Sequence, residues 1–302
     1  MRKNKGSFGE KHIFLLIILM LCCALLNNIV TSAVTAPYEK NITVFYLLMA
    51  LCKYVTALLP LFLMARWKLT QKVRVWDILV GFLSGIPCLI FIAKNLLPLT
   101  LINSMLFQVQ WLPAAAIFLA CFGVGLMEEA GCRGVLLPLL CRKWSASPNG
   151  YMKAALLSSG LFACTHITWI VNALLFQGSV SLVECMGRIY QVYYSFCFGM
   201  LAAGVTLYAK SIIPMVIWHS LVDVSAFIDR GILPWTTYQY YYGTASIGFD
   251  KVLIQMGILK QTGMPYWGVV AGLDAVLLVA GIFLIKKSQK RKAMLSADIL
   301  GI

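Results

Sequence analysis

Gly125-Leu126-Met127-Glu128-Glu129-Ala130-Gly131-Cys132-Arg133-Gly134-Val135-Leu136-Leu137 places three ionisable side chains within six residues of an otherwise apolar run. The run extends from Trp111 to Leu140, long enough to cross a bilayer as a helix. A charged side chain at the bilayer centre costs ~2.5–3.5 kcal/mol on insertion scales. Lipid contact returns none of that cost, so the three charges must face protein or a polar cavity. Such a cluster reads first as a functional site.

The rest of the chain gives this stretch its setting. Of 302 residues, 61% are hydrophobic and 12% charged, against ~25% charged in soluble domains. Apolar runs recur along the whole length, which predicts an all-α, polytopic transmembrane bundle. About eight spans are expected: Ile13–Ala36, Ile42–Ala65, Asp77–Leu97, Trp111–Leu140, Lys153–Phe176, Cys185–Ala209, Ser211–Ile228 and Tyr266–Ile285. Residues 1–302 then form one membrane-embedded domain, with the polar motifs concentrated in about 111–228.

The net charge of +14 does not imply a nucleic-acid partner. Arg2, Lys3, Lys5 and Lys11, Arg66, Lys68, Lys72 and Arg74, Arg142, Lys143 and Lys153, Lys210, and the Lys286–Lys292 tail all fall on one side of an eight-span topology. That is the positive-inside pattern, so both termini are expected in the cytoplasm of a multi-pass cell-membrane protein. The expected partner on these grounds is the lipid bilayer, with no nucleic acid. An alternative for the first span is a cleaved signal, since Thr31-Ser32-Ala33-Val34-Thr35-Ala36 supplies small residues after the apolar run. The long Asp229–Pro265 segment carries Trp235, Tyr238 and Tyr240–Tyr242, which read as an interfacial belt or a lid. The ten cysteines show no metal-type spacing and read as small hydrophobes. Cys132 and Cys164, near the charged cluster, leave a thiol nucleophile as a minor alternative.

Two further polar sites share the depth of Glu128. At ~1.5 Å per residue, Glu128, His166 and Asp223 each lie ~20 Å from the basic ends of their spans, and His219 lies ~14 Å from its own. Glu129 and Arg133 stand at i and i+4 in the favourable acid-before-base order and can pair. Glu128 is turned ~100° away from Glu129, towards something else. His219 and Asp223 are also at i and i+4. A buried carboxylate suits a general base acting on water, a neighbouring His can relay the proton, and a second His with an Asp can stabilise an oxyanion. The same Glu128, His166, His219 and Asp223 could instead ligate zinc or another divalent metal. HExxH is absent. Interhelical hydrogen-bond glue and a proton-coupled transporter relay are the competing readings. No internal repeat of the kind transporters show is evident.

Glu128-Glu129-Ala130-Gly131-Cys132-Arg133, then Phe162-Ala163-Cys164-Thr165-His166, then His219-Ser220-Leu221-Val222-Asp223 resemble EExxxR, FxxxH and HxxxN/D. Those are the motifs of the CAAX-processing and bacteriocin-processing (CPBP or Abi) intramembrane protease family, which includes the Ras-converting endopeptidase. The resemblance implies intramembrane proteolysis, with a peptide or protein substrate as the expected partner. Glu128, aided by His166, would activate water. His219 and Asp223 would stabilise the tetrahedral intermediate, and Glu129 with Arg133 would be a supporting ion pair. Family members are discussed both as metal enzymes and as metal-free glutamate proteases. The expected cofactor is none, with zinc or another divalent metal as the alternative. Asp223 stands where the family often has Asn, and this keeps the metal alternative open. The implied role is peptide or bacteriocin maturation or self-immunity. A non-enzymatic immunity or scaffold protein is the alternative from another class.

Lys53 and Asp274 also lie near the expected midplane, outside these motifs. A lone charge there needs a partner, and the expectation is that they pair with each other.

Overall fold

The computed structural model describes residues 13–69, 73–93, 111–167, 182–227 and 264–300. Among these residues the chain is helical, without a strand. The helices are α1 (Ile13–Thr35), α2 (Ile42–Arg66), α3 (Val75–Ser84), α4 (Trp111–Glu129), α5 (Leu137–Lys143), α6 (Gly150–Thr165), α7 (Leu182–Ala209), α8 (Ile213–Phe227) and α9 (Met264–Leu300). A π-helical turn, Ala130–Leu136, joins α4 to α5.

By length and apolar composition four described segments can cross a membrane: Ile13–Tyr38, Ile42–Arg66, Trp111–Lys143 and Ile189–Ala209. A fifth is available if α3 and Ile86–Ala93, bent by 41° against each other, count as one span. The bend replaces the straight third span expected from sequence. Its cause is local: Pro87 has no N–H to offer the preceding turn and its ring crowds that turn's carbonyl. Within the expected fifth span the helix stops at Thr165, and residues 168–181 lie outside the described set, as does the 228–263 segment of the expected belt or lid. The expected seventh span is the shorter apolar helix α8. The expected eighth falls inside α9, beside Lys286, Lys287, Lys290 and Arg291.

Packing is organised by α7, which lies against α6 on one side and α9 on another, while α2 packs on α4 and α4 on α8. Phe198, Met200, Leu201 and Val205 of α7 are fully enclosed. They meet Phe162 of α6, Met215 and Trp218 of α8, and Leu277 and Ile285 of α9 in two apolar clusters. α1 is the most lipid-like helix, with Phe14, Leu15, Leu19 and Leu26 exposed. The basic ends of the helices gather as the loop charges predict: Lys68, Arg142, Lys210 and Arg291 line one cavity, and Arg142 Nη2 donates to Lys68 O at 3.1 Å. Lys68 itself adopts φ 51°. It closes α2 through the bonds Lys68 N–H to Ala65 O and Leu69 N–H to Met64 O. This is the left-handed cap that glycine usually supplies.

The pair expected between Lys53 and Asp274 does not form. Lys53 Nζ donates to Asn27 Oδ1 at 2.5 Å, and Tyr190 Oη donates to Asp274 Oδ2 at 2.5 Å. Each buried charge takes its partner from the helix its own helix packs on: α1 for Lys53, α7 for Asp274.

Candidate active site

The charged stretch is built on the junction between α4 and α5. Pro138, near the start of α5, cannot donate to the turn before it and would clash there in a regular helix. The backbone widens instead, and Leu137 N–H reaches Cys132 O, a bond one residue longer than the α-helical one. Such π-bulges recur at functional sites. The Ser158 hydroxyl on α6 donates a second bond to Cys132 O, at 3.1 Å. The widened turn carries Arg133 inward. Arg133 and Glu129 are both fully buried and meet at 3.3 Å, the pair the i,i+4 spacing predicts.

α8 brings His219 to the same place. At Gly125, α4 and α8 are nearly in backbone contact: a Cβ would lie 2.6 Å from Ser220 Oγ and 3.0 Å from Val216 O. Trp218 fixes the other side of α8 by donating Nε1 to Phe82 O at 2.8 Å and stacking on the Phe82 ring with centroids 4.7 Å apart. Gly125→Val should therefore push α8 off α4. The expected result is a lower thermal midpoint, equivalent to ~1–3 kcal/mol, together with loss of whatever activity depends on His219. A melt of the purified variant in detergent checks this, and an unchanged midpoint would contradict the close crossing.

His219 is surrounded by all three acids of the constellation. Its Nδ1 lies 2.8 Å from Glu129 Oε1. Because a carboxylate accepts, Nδ1 carries the proton of that bond. Its Nε2 lies 3.5 Å from Glu128 Oε2 and 3.8 Å from Asp223 Oδ2, close approaches rather than hydrogen bonds. Glu129 thus serves Arg133 and His219 together, where the spacing alone assigned it only to Arg133. Glu128 and Asp223 are partly exposed, each side chain at 22%, whereas Glu129 is sealed. The two adjacent glutamates occupy different environments because they face different sides of one helix.

His166 reaches the site differently from expectation. It is the C-cap of α6, not a mid-helix residue. The Phe162 carbonyl accepts from the Thr165 hydroxyl at 2.6 Å and from His166 Nδ1 at 3.2 Å, and these side chains take over the role of the next backbone N–H. In a neutral ring the lone pair is then on Nε2. Phe162 ties the constellation together. The Arg133 guanidinium lies over its ring, 4.4 Å from the centroid. His166 and His219 both meet it edge-on, at 5.0 and 6.0 Å. Phe198 adds a further edge contact to His219 at 4.8 Å. Sequence reading held Phe162 only as a motif letter and missed Phe198. The i−4 spacing of Phe162 from His166 was the available signal for the first, and no local pattern marks the second.

Glu128, Cys132, Phe162, His166, His219 and Asp223 line one cavity of about 470 Å³. Apolar residues of α1, among them Leu16, Met20 and Ala24, form another of its walls. Glu129 and Arg133 stand behind it. Cys164 is exposed and lies outside the cavity lining, while Cys132 is buried at its wall. The imidazole and carboxylate donors are of the kind zinc takes. Among the described residues, however, no three His, Cys, Asp or Glu side chains converge as a ligand set. His219 Nδ1 and His166 Nδ1 point at Glu129 and at the Phe162 carbonyl, the arrangement that leaves Nε2 of each ring as the nitrogen a metal would take. Those two Nε2 atoms with the Glu128 and Asp223 carboxylates are the groups that would hold a divalent metal, which would supply a polarised water there.

Residues 110–225 match the model of a protein family described as type II CAAX prenyl endopeptidase Rce1-like. No curated protein and no solved structure matches the chain. The matched segment contains Glu128 to Asp223, so the resemblance carried by the three motifs is borne out over the stretch that holds them.

Proposed function

Starting from a Rce1-like, CAAX-protease-type segment within a membrane-embedded protein, we propose that the chain is an intramembrane endopeptidase working through a glutamate-activated water. The observation that supports it most is the gathering of Glu128, Glu129 and Asp223 around one imidazole, His219, at the wall of a largely apolar cavity. A structural polar cluster would be sealed on all sides, as the Glu129–Arg133 pair is. Glu128 and Asp223 instead face a space large enough for a peptide segment.

In this reading the Glu128 carboxylate takes a proton from water as the oxygen attacks the scissile carbonyl carbon. His166 orients that water. The tetrahedral oxyanion accepts from Nε2–H of a doubly protonated His219, whose positive charge the nearby Asp223 carboxylate balances. Collapse breaks the C–N bond, and the leaving amine takes the proton back from Glu128. Glu129 holds the His219 ring in place by accepting from Nδ1–H, and Arg133 holds Glu129. No step uses a metal. The substrate is a peptide or the tail of a membrane-anchored protein, and the role is peptide maturation or bacteriocin self-immunity. Residues 1–302 form, in this reading, a single protease domain with its core at about 111–228, eight spans and both termini cytoplasmic.

The test is hydrolysis itself. Purified protein in liposomes is given a library of apolar peptides in heavy-oxygen water, and the products are read by mass spectrometry. New C-termini carrying the heavy oxygen are expected with wild type and not with Glu128→Gln. Absence of any such product from wild type across the library would overturn the peptidase reading. His166→Ala and His219→Ala should each abolish product, and His12→Ala should not. Activity should survive chelation in protein free of zinc by elemental analysis. Loss on chelation with recovery on adding zinc would replace the metal-free step with a metal-assisted one.

A further inference from the structure

Among the described residues Lys53 is the one Lys or Arg that lines the cavity holding Glu128, His166, His219 and Asp223. It is only 5% exposed. Its ammonium is held by a short relay. Lys53 Nζ donates to Asn27 Oδ1 at 2.5 Å, Asn27 Nδ2 donates to Thr56 Oγ1 at 2.5 Å, and the Thr56 hydroxyl donates to Cys52 O at 2.8 Å. A lysine can only donate, so the amide orientation follows from the network. The relay stands on α1 and α2, outside the matched residues 110–225. At Gly123 a Cβ would come within 3.1 Å of Lys53 Cβ, so the small residue lets α2 bring Lys53 close against α4.

The ammonium has three donors and one described hydrogen-bond partner, a neutral amide. Neither Glu128 nor Asp223 forms an ion pair with it. A buried cation whose one described hydrogen-bond partner is an amide, with Glu128 and Asp223 acting on it only from beyond ion-pair distance, is costly, and interhelical adhesion between α1 and α2 could be had from an uncharged side chain. Glu128 and Asp223 in the same cavity would repel an anionic ligand group. A fixed cation beside them offsets that repulsion and leaves donors to spare. The anion that peptides carry is a carboxylate, at the C-terminus or on Asp or Glu.

We propose that Lys53 binds a carboxylate of the substrate, making it a specificity residue that α1 and α2 supply to the 110–225 core. This rests on the peptidase reading above. The test uses the full-length protein in nanodiscs and N-acetylated apolar peptides made as free acids and as C-terminal amides, each with and without an internal Asp or Glu. Wild type should favour the carboxylate-bearing peptides by about tenfold to a hundredfold in kcat/KM, the worth of a hydrogen bond to a charged group, carried mainly in KM. A preference for free acid over amide assigns the C-terminus. A preference that follows the internal acid and survives amidation assigns the side chain.

Lys53→Met, close in length and apolar, should bring the preference to about one, and Lys53→Arg should keep it. Asn27→Asp gives Lys53 an internal carboxylate and should also erase the preference, which covers the case in which Lys53→Met does not accumulate. Retention of the same peptides on Glu128→Gln protein reads binding without turnover. If peptides are cleaved but neither Lys53→Met nor Asn27→Asp alters the preference, the Lys53 assignment falls and the peptidase stands. If nothing is cleaved, yet retention requires both a carboxylate and Lys53, the peptidase reading falls and the carboxylate site stands.

Discussion

Glu128→Gln should eliminate peptide cleavage while the protein still accumulates in the membrane and melts as wild type does. The side chain is partly exposed to the cavity, and its one described ion-pair contact is a 3.5 Å approach to His219 Nε2. An amide of the same shape can stand there without stranding a partner. It cannot take a proton from water. Loss of a general base lowers rate by ~10²–10⁴, and the fall here should reach the floor of a discontinuous peptide assay. Single-turnover cleavage near the wild-type rate in well-folded Glu128→Gln protein would remove Glu128 from the mechanism.

Glu129→Gln, one residue away, should fail in a different way. Glu129 is fully buried and is the described hydrogen-bond acceptor for Arg133, which is fully buried too. It also accepts from His219 Nδ1. Neutralising it leaves a guanidinium in the interior with no counter-charge, a loss of ~3–5 kcal/mol, and frees His219 to turn. Yield and thermal midpoint should both drop, with activity following. The pair can be separated from its neighbours by a double change. Glu129→Gln with Arg133→Met removes both charges and should recover much of the lost midpoint, because well-packed apolar replacement of a buried pair is often neutral or better. Activity should not return, since His219 still lacks its acceptor. A Glu129→Gln protein with wild-type yield and midpoint would show that the burial of this pair is not what holds α4 to its neighbours.

The different outcomes expected at these adjacent positions were only half visible in the sequence. The i,i+4 spacing of Glu129 and Arg133 and the turn between Glu128 and Glu129 are properties of any helix, so pairing of the first couple and separation of the second could be read directly. The bond from Glu129 to His219 could not. It depends on which face of α8 meets α4, and Gly125 sets that by allowing the near-contact with Val216 and Ser220. The π turn was likewise hidden, although Pro138 was its signal: a proline there could equally have kinked or ended the helix. His166 was expected near the other polar groups, with which it lines one cavity, but inside a continuous span. Side-chain bonds to one carbonyl, Phe162 O, decide that it sits at a helix end.

What the sequence determined by itself follows from costs paid residue by residue. Apolar runs make a helical membrane protein because unsatisfied backbone is intolerable in lipid. Basic loop residues gather at one end of the bundle, and charges at membrane depth mark a site because each is expensive there. Three motifs in order were enough to identify the segment that the family match covers. What only the tertiary structure decided is the identity of partners. Lys53 and Asp274 were both recognised as buried charges in need of one, and pairing them with each other was the economical guess. Asn27 and Tyr190 hold them instead, because α2 packs beside α1 and α9 beside α7. A partner is chosen by which helices touch, and helix contact in a membrane is set by small residues and shape, which hydropathy and spacing along one chain do not encode.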